Sequence, residues 1–168
     1  MPDQYLNYDP SDALKGAFRR HASGVAIITA KAQDGSPVGF TATSVTSLGS
    51  NPALVTFNVS RGSSSWATLS TTSHLAIHTL GANNIELAKK LAADHTERFL
   101  DSDWELSEFG IPVFKDVTAV LFVKVREYHH VEQNAVFITE VVSGKLGNED
   151  KALLYTQRSY FTPADEAL

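Results

Sequence analysis

The stretch VTAVLFVKVREYHHVEQNAVFITEVVSGKL, residues 117–146, contains two long apolar runs separated by Glu132, Gln133 and Asn134. Val is the most frequent residue in both runs, which also contain Phe and Thr, and these residue types are enriched in β-strands. A connection this short joins antiparallel strands, because a parallel crossover needs about a dozen residues or more. The stretch therefore predicts a long β-hairpin whose turn is Glu-Gln-Asn.

The rest of the chain adds further strands joined by short turns, together with three brief helices. The predicted strands are residues 25–31, 38–45, 53–60 and 74–81, with one more short strand in 152–162. The predicted helices are residues 9–24 (capped by Ser11 or Asp12 and ended by Gly24), 62–72 and 83–95 (capped by Asn83 or Asn84). LGSNP, residues 48–52, reads as a loop, and residues 163–168 are expected to fray. This order favours a mostly β (α+β) fold, a closed antiparallel barrel of six strands with short flanking helices. We expect one domain over residues 1–168, with a core at about 13–161.

Composition excludes several classes of function. The chain has 168 residues, a net charge of −5, no cysteine and no dense cluster of Lys and Arg. Nucleic-acid and anionic-membrane binders need a basic face, so neither partner is expected. The absence of cysteine removes disulfides and thiolate metal sites. The first residues lack the pattern of a signal peptide, and we therefore expect a cytoplasmic protein.

No acid–base, nucleophilic or metal motif is evident in the sequence. His74 and His78 lie on a predicted strand, where this spacing separates them by about 13 Å, too far to share an ion. His129 and His130 are adjacent, so a strand points them to opposite faces. We expect no metal site. An enzyme without such groups is often one whose cofactor carries the chemistry.

A hydroxyl-rich stretch, residues 39–66, has Arg61 as its one charged residue. RGSSSW, residues 61–66, places a guanidinium and three serines at the start of a predicted helix, which suits a phosphate group. The alternative is that Ser63 caps the helix and the other serines have no ligand. TATSVTS, residues 41–47, offers hydroxyls to the polar edge of a planar heterocycle. Its alternative is a Thr-rich strand selected for β-propensity.

These segments, in this order, resemble the flavin reductase-like family, whose members are FMN-binding split barrels that include reductase components of two-component monooxygenases. The matching residues are FRRHASGVAIITA with DGSPVGFTATSVTSLGSNPALVTFNV, then SSSWATL, HLAIHTLGANNIELAKKLA, ERF, GIPVF and LLYTQRSY. The similarity covers about residues 13–161. Each motif is loose by itself, and their shared order is what is specific.

The resemblance implies a homodimer that transfers hydride from NAD(P)H to FMN, or to FAD, and passes reduced flavin to a partner monooxygenase. The residues implied beside the flavin ring are Thr41, Ala42, Thr43, Ser44 and Ser47. Those implied around the phosphate are Ser60, Arg61, Ser63, Ser64, Ser65, Trp66 and Thr68, with Phe99 in the same site. Asn134, Arg158 and Tyr160 are implied on the nicotinamide side.

The chain departs from the family pattern at the turn of the long hairpin. Many family members carry Gly-Asp-His where this chain has Glu132-Gln133-Asn134, and Thr139 stands where Gly is common. Asn134 can donate hydrogen bonds but cannot carry a charge. Two alternatives therefore remain open: a flavin-binding protein with weak or no reductase activity, and a related split barrel for another ligand, such as a pyridoxamine-phosphate oxidase-like protein or an F420 binder.

Overall fold

The computed structural model describes residues 9–165. Its helices are α1 (Pro10–Arg20), α2 (Trp66–Leu69) and α3 (Ile85–Ala92), and a 3₁₀ turn (Ala82–Asn84) precedes α3. The strands are β1 (Ser23–Gly24), β2 (Ala26–Lys31), β3 (Pro37–Ala42), β4 (Thr46–Ser50), β5 (Ala53–Ser60), β6 (His74–Thr79), β7 (Trp104–Leu106), β8 (Pro112–Phe114), β9 (Ala119–Val131), β10 (Asn134–Leu146), β11 (Leu154–Thr156) and β12 (Ser159–Phe161).

The predicted mostly β, antiparallel fold is confirmed. Its main sheet has the order β3-β2-β6-β9-β10-β5-β4, and all of its strand pairs are antiparallel. The long hairpin is β9 and β10, joined by Glu132 and Gln133, with Asn134 already in the second strand. The edge strands β3 and β4 are neighbours in sequence, as in a barrel, but no ladder pairs them within residues 9–165.

The seventh strand of the sheet is a correction to the sequence prediction. The segment expected to be a loop forms β4, which pairs with β5 from Thr46↔Thr56 to Ser50↔Ala53. All five residues of β4 are exposed, so the strand has no alternation of apolar and polar residues for a pattern to detect. Backbone hydrogen bonding alone defines this strand.

Four further boundaries differ from the predictions. The cap of α1 is Asp9, whose carboxylate accepts a hydrogen bond from the Ser11 amide, and the helix ends at Arg20, before Gly24. Helix α2 has only four residues. Asn84 is at the N-cap position before α3, but its side chain accepts from the Gly81 amide and does not cap the helix. The last strand is instead the β11–β12 hairpin. Fraying was predicted for residues 163–168, of which 166–168 lie outside the described residues.

The core is aromatic at its centre and contains one fully buried histidine. Phe57 and Phe137 stack at 4.9 Å between ring centroids, and both are fully buried. His78 is also fully buried, with Nδ1 3.1 Å from the Ile27 carbonyl and Nε2 accepting from the Phe114 amide at 3.1 Å. These two contacts fit a neutral ring that carries its proton on Nδ1. They connect β2, β6 and β8 through one side chain.

No helix within residues 9–165 has the length and apolar character needed to cross a membrane.

Protonation of His78 is predicted to destabilise the fold in acid. Burial lowers the pKa of His78 from 6.5 to about 4. As the pH falls from 6.5 to about 4, the unfolded chain takes up a proton that the native chain does not. The free energy of unfolding is therefore expected to fall by about 3 kcal/mol over this range.

Urea unfolding of wild type and His78→Gln at pH 7, 5.5 and 4 measures this effect. The variant is expected to be less stable at pH 7 but to lose less stability in acid. His129→Gln, which removes an exposed histidine, is the matched control. Equal pH dependence of wild type and His78→Gln would contradict the prediction.

Candidate functional site

A groove of about 720 Å³ lies between the β3–β4 connection, β5, α1 and the β11–β12 hairpin; we call it the hydroxyl groove. One wall is uncharged and polar, and consists of Thr43, Ser44, Thr46 and Asn58. Asn58 is on this wall because β5 alternates, with Phe57 and Val59 buried and Asn58 exposed. The wall therefore combines residues from β4, from β5 and from the connection between β3 and β4.

Ser44 fixes the geometry of this wall. Its hydroxyl accepts a hydrogen bond from the Asn58 amide N–H at 3.0 Å and donates to the Asn58 carbonyl at 3.3 Å. The Ser44 side chain thus continues the β4–β5 ladder beyond its last backbone pair. Within residues 9–165, the side chains of Thr43, Thr46 and Asn58 form no hydrogen bond, so all three remain available to a ligand.

The hydroxyl groove also has cationic lining residues, which come from α1 and the β11–β12 turn; we call them the cationic wall. Its charged residues are Lys15, Arg19 and Arg158, and the histidine His21 lies beside them. The turn is held to the end of α1 by two hydrogen bonds to the Arg19 carbonyl, from the Gln157 amide at 2.8 Å and the Thr156 hydroxyl at 3.2 Å.

A second, smaller cavity lies at the other end of β3; we call it the arginine pocket. It is lined by residues of β3, the start of α2 and the loop after α3: Pro37, Val38, Gly39, Ser64, Ser65, His95, Arg98 and Phe99. The Arg98 guanidinium donates to the carbonyls of Ala93 and Gly39, at 2.9 Å each. Partial burial lowers the pKa of Arg98, and the Asp94 carboxylate acts in the opposite direction.

The loop that carries Arg98 is held by aromatic and polar contacts. Phe99 stacks on Phe114 at 5.6 Å between centroids, and its carbonyl accepts from Trp104 Nε1 at 3.1 Å. A Cβ on Gly39 would lie 2.9 Å from the Phe99 ring, so a glycine is needed for this close approach. Asp94 closes the start of the loop by accepting from the Thr96 amide and hydroxyl.

Arg61 contacts the turn of the long hairpin. Its guanidinium donates to the Glu132 carbonyl at 3.0 Å and lies 5.9 Å from the centroid of the Trp66 ring, while its backbone amide donates to the Gln133 carbonyl. Its Nε is buried and has no hydrogen-bond partner within the described residues. Arg61 therefore ties the loop before α2 to the turn of the long hairpin.

A family model for the flavin reductase-like domain matches residues 18–164 of the chain. The chain belongs to this family. The resemblance inferred from the sequence motifs is thereby confirmed.

Individual relatives of this flavin reductase-like chain agree with the match. The NADH:FMN oxidoreductase of Rhodococcus erythropolis is 34% identical over 154 residues, covering 89% of this chain and 80% of that protein. The reductase component of the flavin-dependent trigonelline monooxygenase of Acinetobacter baylyi is 30% identical over 90% of this chain, which spans about half (48%) of that protein. The crystal structure of a flavin reductase domain protein from Arthrobacter sp. FB24 superposes with a TM-score of 0.90 and 42% identity, covering 94% of this chain and 98% of that one.

The flavin reductase-like fold brings together only part of the residue set implied by the sequence. Thr43 and Ser44 lie in the hydroxyl groove with Arg158, while Ser64, Ser65 and Phe99 lie in the arginine pocket. The other residues implied on the flavin side line neither of these two cavities. Thr41 donates to the Ala88 carbonyl, Ala42 is buried in the core, and Ser47 is exposed on β4. The hydroxyls of Ser60 and Ser63 accept hydrogen bonds from the amides of Gly62 and Ser65. Trp66 packs on Tyr128 and His130, and Thr68 lines a shallow cavity with Ala32–Asp34.

The residues implied on the nicotinamide side are also separated. Asn134 is exposed at the start of β10, opposite Ser60 of β5. Tyr160 packs against Tyr155 at 5.2 Å between centroids, and burial raises the pKa of its hydroxyl. Thr139, which replaces a common glycine, is buried and donates to the Val55 carbonyl, so it has a place in the core.

Several site residues were missed in the sequence, above all Arg98, Asn58 and the cations of α1. Arg98 is distant in sequence from the serines it approaches, so no local pattern joins them. The Asp94-x-Thr96 sequence is a turn signal that would have indicated an ordered loop before Arg98. Asn58 carried a weaker signal, as a polar residue on the exposed face of an otherwise apolar strand.

The two arginines give different predictions for flavin binding. Arg98→Ala is expected to raise the dissociation constant of FMN about tenfold to a hundredfold, since it removes a partly buried cation that faces Ser64 and Ser65. Arg61→Ala is expected to have a smaller effect on FMN binding and to lower the free energy of unfolding, because its contacts are with Glu132 and Trp66.

Fluorescence titration of FMN with each variant provides the measurement. Arg126→Ala, which removes an exposed arginine paired with Glu140, is the matched control. A larger loss of FMN affinity in Arg61→Ala than in Arg98→Ala would contradict this prediction and assign the phosphate contact to Arg61.

Proposed function

We propose that the protein is an NADH- or NADPH-dependent flavin reductase that acts on FMN and also accepts FAD. The observation that carries this proposal is the hydroxyl groove, where Thr43, Thr46 and Asn58 present unpaired neutral polar groups. Ligand cavities of about 300–1,000 Å³ with a few convergent polar groups are typical of small-molecule sites. Family membership makes flavin the expected heterocycle.

The donor set of the groove fits the edge of a flavin ring. The two nucleotides supply the redox chemistry: hydride passes from nicotinamide C4 to flavin N5, NADH becomes NAD⁺, and a proton from solvent completes the reduced flavin. Thr43, Thr46 and Asn58 would donate hydrogen bonds to the edge of a bound flavin ring, where negative charge arrives on reduction. The neutral wall of the groove would orient the reacting rings, which is the main contribution asked of the protein.

The arginine pocket fits the phosphate of the same flavin. Arg98 supplies a partly buried cation, and Ser64 supplies a hydroxyl with no hydrogen bond within residues 9–165. Gly39 in the pocket and Thr43 in the groove are four residues apart on β3 and its extension, or about 13 Å. This separation suits a ligand with a phosphate at one end and a ring at the other. The four-residue α2 adds little dipole to this site.

A partner monooxygenase is the proposed destination of the reduced flavin. The relative from Acinetobacter is named as the reductase component of a monooxygenase, and this supports a two-component system. The chain spans about half of that relative, so the partner is an inference from shared sequence in the matched part. We place the reaction in the cytoplasm, where NADH is produced, and cell fractionation tests this location.

A homodimer is also proposed. Leu14 and Phe18 on α1 are 60% and 64% exposed, and Leu146 on β10 is 88% exposed. Apolar side chains of this size are often covered in an assembly. Sedimentation velocity gives the mass: twice the chain mass supports the dimer, and a monomer at all concentrations contradicts it.

A second candidate function is flavin binding without efficient reduction, as in a flavin carrier. The observation that favours it is Asn134, an uncharged side chain at the hairpin position where many family members carry histidine. Binding of flavin alone does not separate the two functions, because both require it. Electron transfer from NADH does.

Anaerobic mixing of protein, FMN and NADH tests the proposed function. We expect the visible absorbance of flavin to bleach at a rate proportional to protein concentration, with one NADH consumed per flavin. NADPH and FAD in parallel mixtures define the preferences. Tight FMN binding without bleaching by either nucleotide would contradict the reductase and support the carrier.

Asn134→His is predicted to raise the rate of NADH oxidation severalfold, about 1 kcal/mol or more in transition-state stabilisation. The physical reason is that imidazole adds a ring and a titratable donor at the exposed start of β10. Steady-state oxidation of NADH with saturating FMN measures the change. Gln133→His, one position earlier, is the matched control. No rise in Asn134→His, or an equal rise in the control, would place the nicotinamide elsewhere.

A further inference from the structure

The cationic wall of the hydroxyl groove has no role in the function as proposed so far. Lys15 and Arg19 are one helical turn apart on α1, and Arg158 lies on the β11–β12 turn beside them. His21 extends the same wall. Two separate segments of the chain thus bring positive side chains to one side of a single cavity.

No acidic residue lines this groove, and Lys15, Arg19 and Arg158 form no ion pair within residues 9–165. The chain as a whole has a net charge of −5, so the concentration of positive charge here is local. Carboxylates of Asp9 and Asp12 lie at the opposite end of α1. Unpaired cations in a concave site attract an anionic ligand more strongly than the same charges on a flat surface.

The backbone holds these cations in a fixed relation to the groove. Gln157 and Arg158 have φ of 48° and 61°, the left-handed values of a tight hairpin turn. The Gln157 amide donates to the Arg19 carbonyl at 2.8 Å, which connects the turn to the end of α1. Arg19 and Arg158 therefore come from two segments that are joined by a backbone hydrogen bond, and both segments line the groove.

We propose that Lys15, Arg19 and Arg158 form a subsite for the diphosphate of a dinucleotide. The inference rests on the proposed function and extends it, because the neutral wall of the same groove faces a ring. The ligand required is uncharged and planar at one end and has at least two negative charges beyond it. NADH and FAD both carry two phosphates in series, which separate cations can contact together, whereas FMN carries a similar charge on one terminal phosphate.

The size of the groove favours such a ligand over a macromolecule. Its volume of about 720 Å³ is in the usual range for one small-molecule site. Lys15, Arg19 and Arg158 are exposed residues that line it. A nucleic-acid surface would need a longer basic stripe than one turn of helix and one hairpin turn provide. Charge-assisted hydrogen bonds to phosphate are among the stronger polar contacts that a protein makes.

Calorimetric titration with ADP tests the subsite without nicotinamide or flavin. Wild type is expected to bind ADP, and the double variant Arg19→Gln/Arg158→Gln to bind it about tenfold or more weakly. Arg126→Gln is the matched control, because Arg126 is an exposed arginine paired with Glu140 on the long hairpin and does not line the groove. Added salt is expected to weaken binding to wild type.

Two further measurements identify which dinucleotide uses the subsite. With FMN as acceptor, a raised KM for NADH at unchanged kcat in the double variant assigns the subsite to the nicotinamide dinucleotide. A raised dissociation constant for FAD, with that for FMN unchanged, assigns it to the flavin dinucleotide. Either result supports the proposal.

The proposal is overturned if wild type does not bind ADP at millimolar concentration, or if the double variant binds it as wild type does. Failure of the proposed function has a different signature. In that case wild type oxidises no NADH in the presence of FMN, while the ADP titration still reports on the subsite.

Discussion

Pairing of β9 with β10 is the constraint on which the rest of the sheet depends. Both strands have 13 residues, and their ladder extends from Val131↔Asn134 to Ala119↔Leu146 with two register shifts. Such irregularities bend a strand and increase its twist. The other edge of β9 binds β6, and the other edge of β10 binds β5. The register of β5 on β10 places Asn58 opposite Val136, and so fixes the strand that supplies Asn58 to the neutral wall of the hydroxyl groove.

A second chain of contacts leads from β6 through β8 to the arginine pocket. His78 accepts from the Phe114 amide, Phe114 stacks on Phe99, and Phe99 lies against Gly39 beside Arg98. A fully buried histidine is tolerated because both ring nitrogens have hydrogen-bond partners. The position of Arg98 thus depends on core packing around β8, whereas the groove depends on strand register. The two parts of the proposed flavin site are held by different interactions.

The fold was predictable from sequence to a greater extent than the site. Alternation of apolar and polar residues identified β5, because burial of one face leaves a period-two pattern. Strands β2 and β6 are buried on both faces and were identified as short apolar runs bounded by turns. Strand β4 left no such pattern, since all its residues are exposed. Of the residues that line the two cavities, Thr43, Ser44 and Ser64 were predicted because they lie in local motifs. Arg98, Arg19 and Asn58 were not, because their positions follow from tertiary contacts, and Arg61 was assigned from its nearness in sequence to the serines.

A crystal structure of the complex with FMN tests the central claim most directly, namely that the groove and the pocket hold the two ends of one flavin. We expect the flavin ring to lie against Thr43 and Asn58, and the phosphate to lie within hydrogen-bonding distance of Arg98 and Ser64. A phosphate bound at Arg61, or a flavin ring outside the hydroxyl groove, would contradict it.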